Sequence, residues 1–176
     1  MVRATARAID RAPVRATLTP TTLQALPTMY VHPGQLFVSG DAGTMTTILG
    51  SCVAVCLHDP KQRIGGMNHF LLPNSPGPAE VESRYAAPAV AHLVAQLLAR
   101  GASQRRLIAQ IVGGASVLAA FGAHHQHLGL KNVTAARDAL ATYRIPITGT
   151  DVGGARGRKL VFSPRDGATL VQLIGA

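Results

Sequence analysis

The run CVAVCL at residues 52–57 is apolar at every position. A half-exposed strand would alternate apolar and polar residues. A short unbroken apolar run between turn formers is the pattern of a strand buried on both faces. It is entered through Gly50-Ser51 and left through His58-Asp59-Pro60. Such a strand belongs inside a layered fold. With 47% hydrophobic residues, 4% aromatics and no tryptophan, the core has to be built from Ala, Val, Leu and Ile.

The other elements arrange themselves around that strand. GQLFVS reads as a short strand before it, TMTTILG leads into the Gly50-Ser51 corner, and IGGMNHFLLP (64–73) reads as the strand after it. RYAAPAVAHLVAQLLARG (84–101) has a helical stripe at Val90, Leu93, Val94, Leu97 and Leu98, with Pro88 in its opening turns and Gly101 as a stop signal. RRLIAQIVGG (105–114) is a strand ending in a glycine pair, and ASVLAAFG (115–122) a short helix. Asn132 is placed to cap a helix over 133–144 that turns Val133, Ala136, Leu140 and Tyr143 inward. IPITGTDVGG, RKLVFS and ATLVQLI supply the closing strands, the last two joined by a turn at 164–167. The expected class is α/β, a mixed β-sheet layered with helices.

The formal net charge of +9 raises nucleic acid as a partner, but the placement of the charge argues against it. Arg3, Arg7, Arg11 and Arg15 stand against Asp10 in a stretch broken by Pro13, and the remaining basic residues are scattered without an aromatic ladder. Residues 1–28 are read as a flexible basic arm and 29–176 as one domain. No uninterrupted apolar stretch is long enough for a membrane span, so no membrane insertion is expected. Two cysteines and an arginine-rich start without an apolar signal core fit a reducing, cytoplasmic setting.

Cys52 and Cys56 differ in their surroundings. Cys56 lies inside the apolar run and reads as a small buried hydrophobe. Cys52 stands at the strand's entrance, where the amides of Gly50, Ser51 and Cys52 are placed to hold an oxyanion. Four residues along a strand span about 13 Å, too far for a disulfide between the two. A metal site is disfavoured because side chains along one strand would diverge, and no second cysteine pair follows. His124, His125 and His127 read as a solvated loop.

A thiol nucleophile needs a base. If 52–58 and 63–72 form a hairpin around a turn at 59–62, residue 58 faces 63 and Cys52 faces His69. Directly opposed side chains have Cβ atoms about 5 Å apart on one face. This register makes His69 the candidate among seven histidines.

TTILGSCVAVCLHDP followed by GGMNHFLLP, then Tyr85, IVGGASVL (111–118), LGLKN (128–132) and DVGGARGRKLVF (151–162), resembles the signature of the chemoreceptor glutamine deamidases, the CheD family, over about residues 30 to 174. The resemblance implies an α/β/α layered fold and a Cys–His–Thr arrangement. Cys52 and His69 match the first two members. Thr46 is the favoured third, with Thr47 the adjacent alternative. It implies hydrolysis of receptor glutamines to glutamate with no metal or organic cofactor. The implied partners are the cytoplasmic helices of methyl-accepting chemoreceptors and, in some organisms, a CheC-type phosphatase. A non-catalytic module binding the same partners is the alternative. The chain departs from the family pattern at Lys131, where an arginine is commoner, and in the histidine-rich lead-in to LGLKN.

Overall fold

The structure, a computed structural model, describes residues 6–8, 21, 26–75, 77, 83–116 and 123–175. In chain order the elements are β1 (Ala6–Ala8), β2 (Thr28–Tyr30), β3 (Leu36–Ser39), β4 (Thr44–Leu49), β5 (Val53–Asp59), β6 (Ile64–Asn68), α1 (Ala86–Ala99), a 3-10 turn (Gln104–Arg106), β7 (Ile108–Gly113), α2 (Ala123–Thr142), β8 (Ile147–Val152), β9 (Gly157–Phe162) and β10 (Thr169–Ile174). The strands divide between two mixed sheets. One has the order β1-β10-β9-β4-β2 and the other β3-β6-β5-β7-β8. Each is antiparallel except for one parallel edge pair, β2 with β4 and β7 with β8. The class is α/β, with mixed sheets packed against two helices.

The apolar run explains the layering. All seven residues of β5 are buried. Val53, Val55 and Leu57 pack with Val90, Leu93 and Leu97 of α1 and with Val133, Ala136 and Leu140 of α2. Ala54 and Cys56 point the other way, onto Met45, Leu49, Leu160 and Phe162 of the first sheet. Successive side chains alternate between faces, so a strand apolar at every position has to be covered on both. One buried ion pair, Arg158 Nε to Asp151 Oδ1 at 3.0 Å, crosses between the sheets from β9 to β8.

Several sequence expectations meet a different outcome. The arm expected over 1–28 contributes β1, which pairs antiparallel with β10. A three-residue edge strand makes its bonds through the backbone and leaves little pattern in the sequence. The second helix begins at Ala123, not beyond Asn132. His124, His125 and His127 therefore belong to its first turns rather than to a loop. Histidine and glycine are weak helix formers, so nothing in that stretch signals a start. Leu98 of α1 is exposed, one position past the buried stripe. The short helix expected over 115–122 falls outside the described residues beyond Ser116.

The β5–β6 hairpin also differs, by a slide of two residues. His58 lies opposite Gly65, Cys56 opposite Met67 and Asp59 opposite Ile64. The expected turn at 59–62 is displaced by one, because Asp59 closes the strand instead of opening the turn. Its carboxylate accepts the amides of Lys61 (3.0 Å) and Gln62 (3.2 Å) and the guanidinium of Arg106 (2.8 Å). Burial works to raise this carboxyl's pKa. Arg106 and the amides of Ser103, Gln62 and Lys61 outweigh it and hold the group well below the usual carboxylate range. Asp59 thus stays ionised in the interior and fixes the hairpin end, and with it the register that reaches Cys52 and His69.

Candidate active site

Cys52 sits in the corner between β4 and β5, half-buried against the core between the sheets. His69 follows β6, 2% exposed. At this end the hairpin is irregular. The Val55 amide donates to Asn68 Oδ1 (2.9 Å) in place of a backbone carbonyl, and the ladder resumes in an isolated bridge between Val53 and Phe70. The backbone of His69 turns instead to the β2–β3 connection. Its amide donates to Gln35 O (3.0 Å) and its carbonyl accepts from Gly34 (2.7 Å). With Val53 opposite Phe70, His69 is not directly across from Cys52, as the sequence register had it. It is the diagonal neighbour. A slide of two residues keeps both on the face toward the first sheet, where a slide of one would have separated them.

The threonine that reaches the His69 ring is Thr47, not Thr46. Thr47 Oγ1 lies 2.8 Å from His69 Nδ1 and is fully buried. Thr46, its neighbour on β4, points to the opposite face and donates to Leu160 O (2.7 Å). The two were indistinguishable by distance from the cysteine, but alternation along a strand lets only one of them reach the imidazole.

Thr47 also settles which ring nitrogen carries the proton. A hydroxyl has one proton to donate, and that of Thr47 goes to Val31 O at 2.7 Å. Toward the ring it therefore accepts, so Nδ1 is protonated and Nε2 carries the lone pair. Nε2 is buried and has no hydrogen-bond partner among the described residues. It is a bare acceptor on the face shared with Cys52. Burial pushes the His69 pKa down. The Val31 carbonyl opposes that shift and the nearby His32 adds to it. Burial pushes the Cys52 thiol up, opposed by its own backbone amide. Both shifts favour the neutral forms, the thiol of Cys52 and the imidazole of His69.

The Cys52 corner is held by its carbonyls. Gly50 O accepts from the Ala115 amide (2.8 Å) and Cys52 O from the Gly114 amide (2.8 Å). Ser51 O accepts from Asn132 Nδ2 (2.9 Å). The same Nδ2 donates to Leu71 O at 2.9 Å, two residues beyond His69. This requires close backbone approach. Gly113, at φ 115°, leaves no room for a Cβ against Cys52 O, and Gly129 of α2 lies directly on the Gly114 carbonyl. In the sequence Asn132 has the pattern of a helix cap, and the glycine pair at 113–114 reads only as the end of a strand. LGLKN and IVGG were visible as motifs, but their common target, the cysteine corner, was not. Among the described residues no three His, Cys, Asp or Glu side chains converge to hold a metal ion, and no helix is long and apolar enough to cross a membrane.

A family model described as CheD chemotactic sensory transduction matches residues 71–173. Cys52 and His69 precede that span. A full-length comparison reaches across them: a probable chemoreceptor glutamine deamidase CheD 1 of Anaeromyxobacter dehalogenans is 47% identical over 173 residues, covering 98% of this chain and 99% of that protein. A protein of Sulfurimonas denitrificans, likewise named probable chemoreceptor glutamine deamidase CheD, is 37% identical over 145 residues, 82% of this chain and 93% of its own. Among solved structures, the Bacillus licheniformis hypothetical protein YfiH is 12% identical with a TM-score of 0.45, covering 78% of this chain and 60% of that one.

Proposed function

The chain belongs to the CheD family, and from that premise we propose that it hydrolyses side-chain carboxamides of glutamines in chemoreceptors, with Cys52 as nucleophile, His69 as acid–base and Thr47 as the residue that orients the imidazole. The observation that carries this reading is the set of hydrogen-bond contacts around the His69 ring. Nδ1–H is committed to Thr47, whose own proton is committed to Val31 O, so the bare Nε2 is left for the thiol.

The steps follow from that pattern. As the Cys52 sulfur forms its bond to the carboxamide carbon, its proton passes to His69 Nε2. The imidazolium is stabilised through Nδ1–H by the Thr47 hydroxyl, which is itself polarised by the Val31 carbonyl. The oxyanion is met by backbone amides of the Gly50–Cys52 corner. His69 returns the proton to the departing nitrogen, which leaves as ammonia, and a thioester remains on Cys52. Water then attacks the thioester carbon, giving its proton to Nε2, and the product is glutamate with the thiol restored. Atoms balance without a metal or organic cofactor. A threonine carries no charge to set against the imidazolium, so its contribution is smaller than that of an acidic residue in the same place.

The substrates in this proposal are the cytoplasmic helices of methyl-accepting chemoreceptors, where each new glutamate adds a negative charge and a methylation site. The enzyme would act in the cytoplasm, with a CheC-type phosphatase as a partner. The net charge of +9 favours encounter with acidic helices at low ionic strength. The test is mass spectrometry of a chemoreceptor cytoplasmic fragment incubated with wild type and Cys52→Ala. Conversion of glutamine to glutamate by wild type alone is expected. Conversion by Cys52→Ala would remove the nucleophile assignment, and binding without conversion by wild type would make the protein a docking module.

A further inference from the structure

Asn132 is fully buried, lies in the middle of α2 and faces away from solvent into the cysteine corner. Its contact with Ser51 O fixes more than the position of a loop. A trans peptide unit is planar, with its C=O and N–H on opposite sides, and there are no cis peptide bonds among the described residues. The peptide unit whose carbonyl is Ser51 O has the Cys52 amide as its N–H. Asn132 Nδ2, by holding that carbonyl at 2.9 Å, turns the Cys52 N–H to the opposite side of the corner. The Ala115 amide does the same for the unit that carries the Ser51 N–H, through Gly50 O. In the following unit the pattern is complete: Cys52 O is held by Gly114, and the Val53 N–H on its far side donates to Phe70 O at 3.2 Å.

We infer that Asn132 is a positioning residue for acyl transfer. Its carboxamide holds the Ser51–Cys52 peptide plane so that the Cys52 amide stands ready for the oxyanion, and its second bond to Leu71 O locks that plane to the segment carrying His69. The first two units of the corner present their amides, one aimed by a side chain and one by a backbone amide. Asn132 is the member open to mutation without touching the nucleophile or the base. This assigns a task to the last residue of the LGLKN motif, and Gly129 of the same motif supplies the close approach that lets α2 reach the corner. The inference rests on Cys52 acting as a nucleophile toward acyl carbon. It does not require that the carbon belong to glutamine.

The experiment separates acyl transfer from thiol reactivity. Alkylation of Cys52 by iodoacetamide is a substitution at saturated carbon and develops no oxyanion. Acylation of Cys52 by p-nitrophenyl acetate does. Both rates are measured, with kcat and KM for receptor-glutamine conversion, in wild type, Asn132→Asp, Asn132→Ser and Leu140→Val. The last lies on the core face of α2 and controls for loss of helix packing. Loss of one oxyanion donor lowers kcat by about 100- to 1,000-fold. A fall of at least tenfold in acylation and kcat is expected in the Asn132 variants, with KM and the alkylation rate and its pH dependence within about threefold of wild type. The Leu140 variant should lower only the thermal midpoint. Unchanged acylation, or acylation and alkylation falling together, would overturn the assignment. If Asn132→Asp does not fold, Asn132→Ser decides by the same ratio. If wild type converts no glutamine, the deamidase reading fails, while the ratio of acylation to alkylation still judges Asn132.

Discussion

Replacing Thr47 by valine keeps the shape of the side chain and removes one oxygen, and the structure fixes what that oxygen does. It accepts from His69 Nδ1–H at 2.8 Å and donates to Val31 O at 2.7 Å, with no exposure to water. A hydrogen bond to a group that becomes charged contributes about 1.5–3 kcal/mol. The Thr47–His69 bond meets that condition, because the ring becomes an imidazolium while the thiol attacks. At 1.36 kcal/mol per decade, Thr47→Val should lower kcat for receptor deamidation roughly 10- to 150-fold. Depriving the buried Val31 O of its hydroxyl donor should lower folding stability by about 1–3 kcal/mol as well. Thr47→Ser retains the oxygen and should stay within a few-fold of wild type. Thr46→Val removes a bond to Leu160 O on the far face of β4 and should leave kcat unchanged. The assay is single-turnover conversion of glutamine in a chemoreceptor fragment, followed by mass spectrometry, with urea melts on the same samples. Equal losses for the two threonines, or less than a threefold loss for Thr47→Val, would refute the argument that the hydroxyl sets the imidazole's tautomer.

Other consequences follow from the same geometry. His69 has to be neutral to take the thiol proton, and burial lowers its pKa. The acid limb of kcat/KM against pH should therefore fall below the ordinary histidine value of about 6.5, with activity full above it. The same shift bears on folding. A histidine whose pKa is depressed in the folded state contributes stability that is present above about pH 6.5 and lost as pH falls through the folded value. His69→Gln should flatten that part of the curve in urea melts taken across pH 5 to about 7. Cys52 alkylation should rise with pH through a midpoint above the ordinary thiol value of about 8.5, since burial raises it. Cys56→Ala should retain kcat and lose on the order of 1 kcal/mol of stability, as a small buried side chain does. Gly113→Ala puts a Cβ at φ 115° against the Cys52 carbonyl. It should lose at least about 1–3 kcal/mol to backbone strain, and lower kcat with it, seen in paired melts and kinetics.

The sequence made some features of this site legible and concealed others, and the difference lies in what kind of interaction each feature is. The apolar run at 52–57 disclosed a strand buried on both faces, because burial on each side of a strand is written into alternate residues. It could not show that helices cover one of its faces and a second sheet the other, since a sheet and a helix make the same demand on the strand they cover. The hairpin register missed by two residues because a carboxylate, Asp59, closes the strand and starts the turn one residue late. The pairing of Cys52 with His69 on one face survived that error because two is the period of a strand, and an even slide preserves the face. Thr46 against Thr47 was the reverse case. A displacement of one residue decides everything there, and nothing in the local sequence tells which hydroxyl looks inward. Asn132 was hardest to read. Its pattern is that of a helix cap, and its partners, Ser51 O and Leu71 O, are backbone atoms more than sixty residues away in the chain. Backbone carbonyls have no sequence identity, so a side chain that works by holding them leaves no complementary residue to find. The parts of this site that a single sequence conceals are therefore those in which side chains act on peptide planes. The aim of the Cys52 amide, fixed by Asn132 and by glycine contacts, belongs to that class.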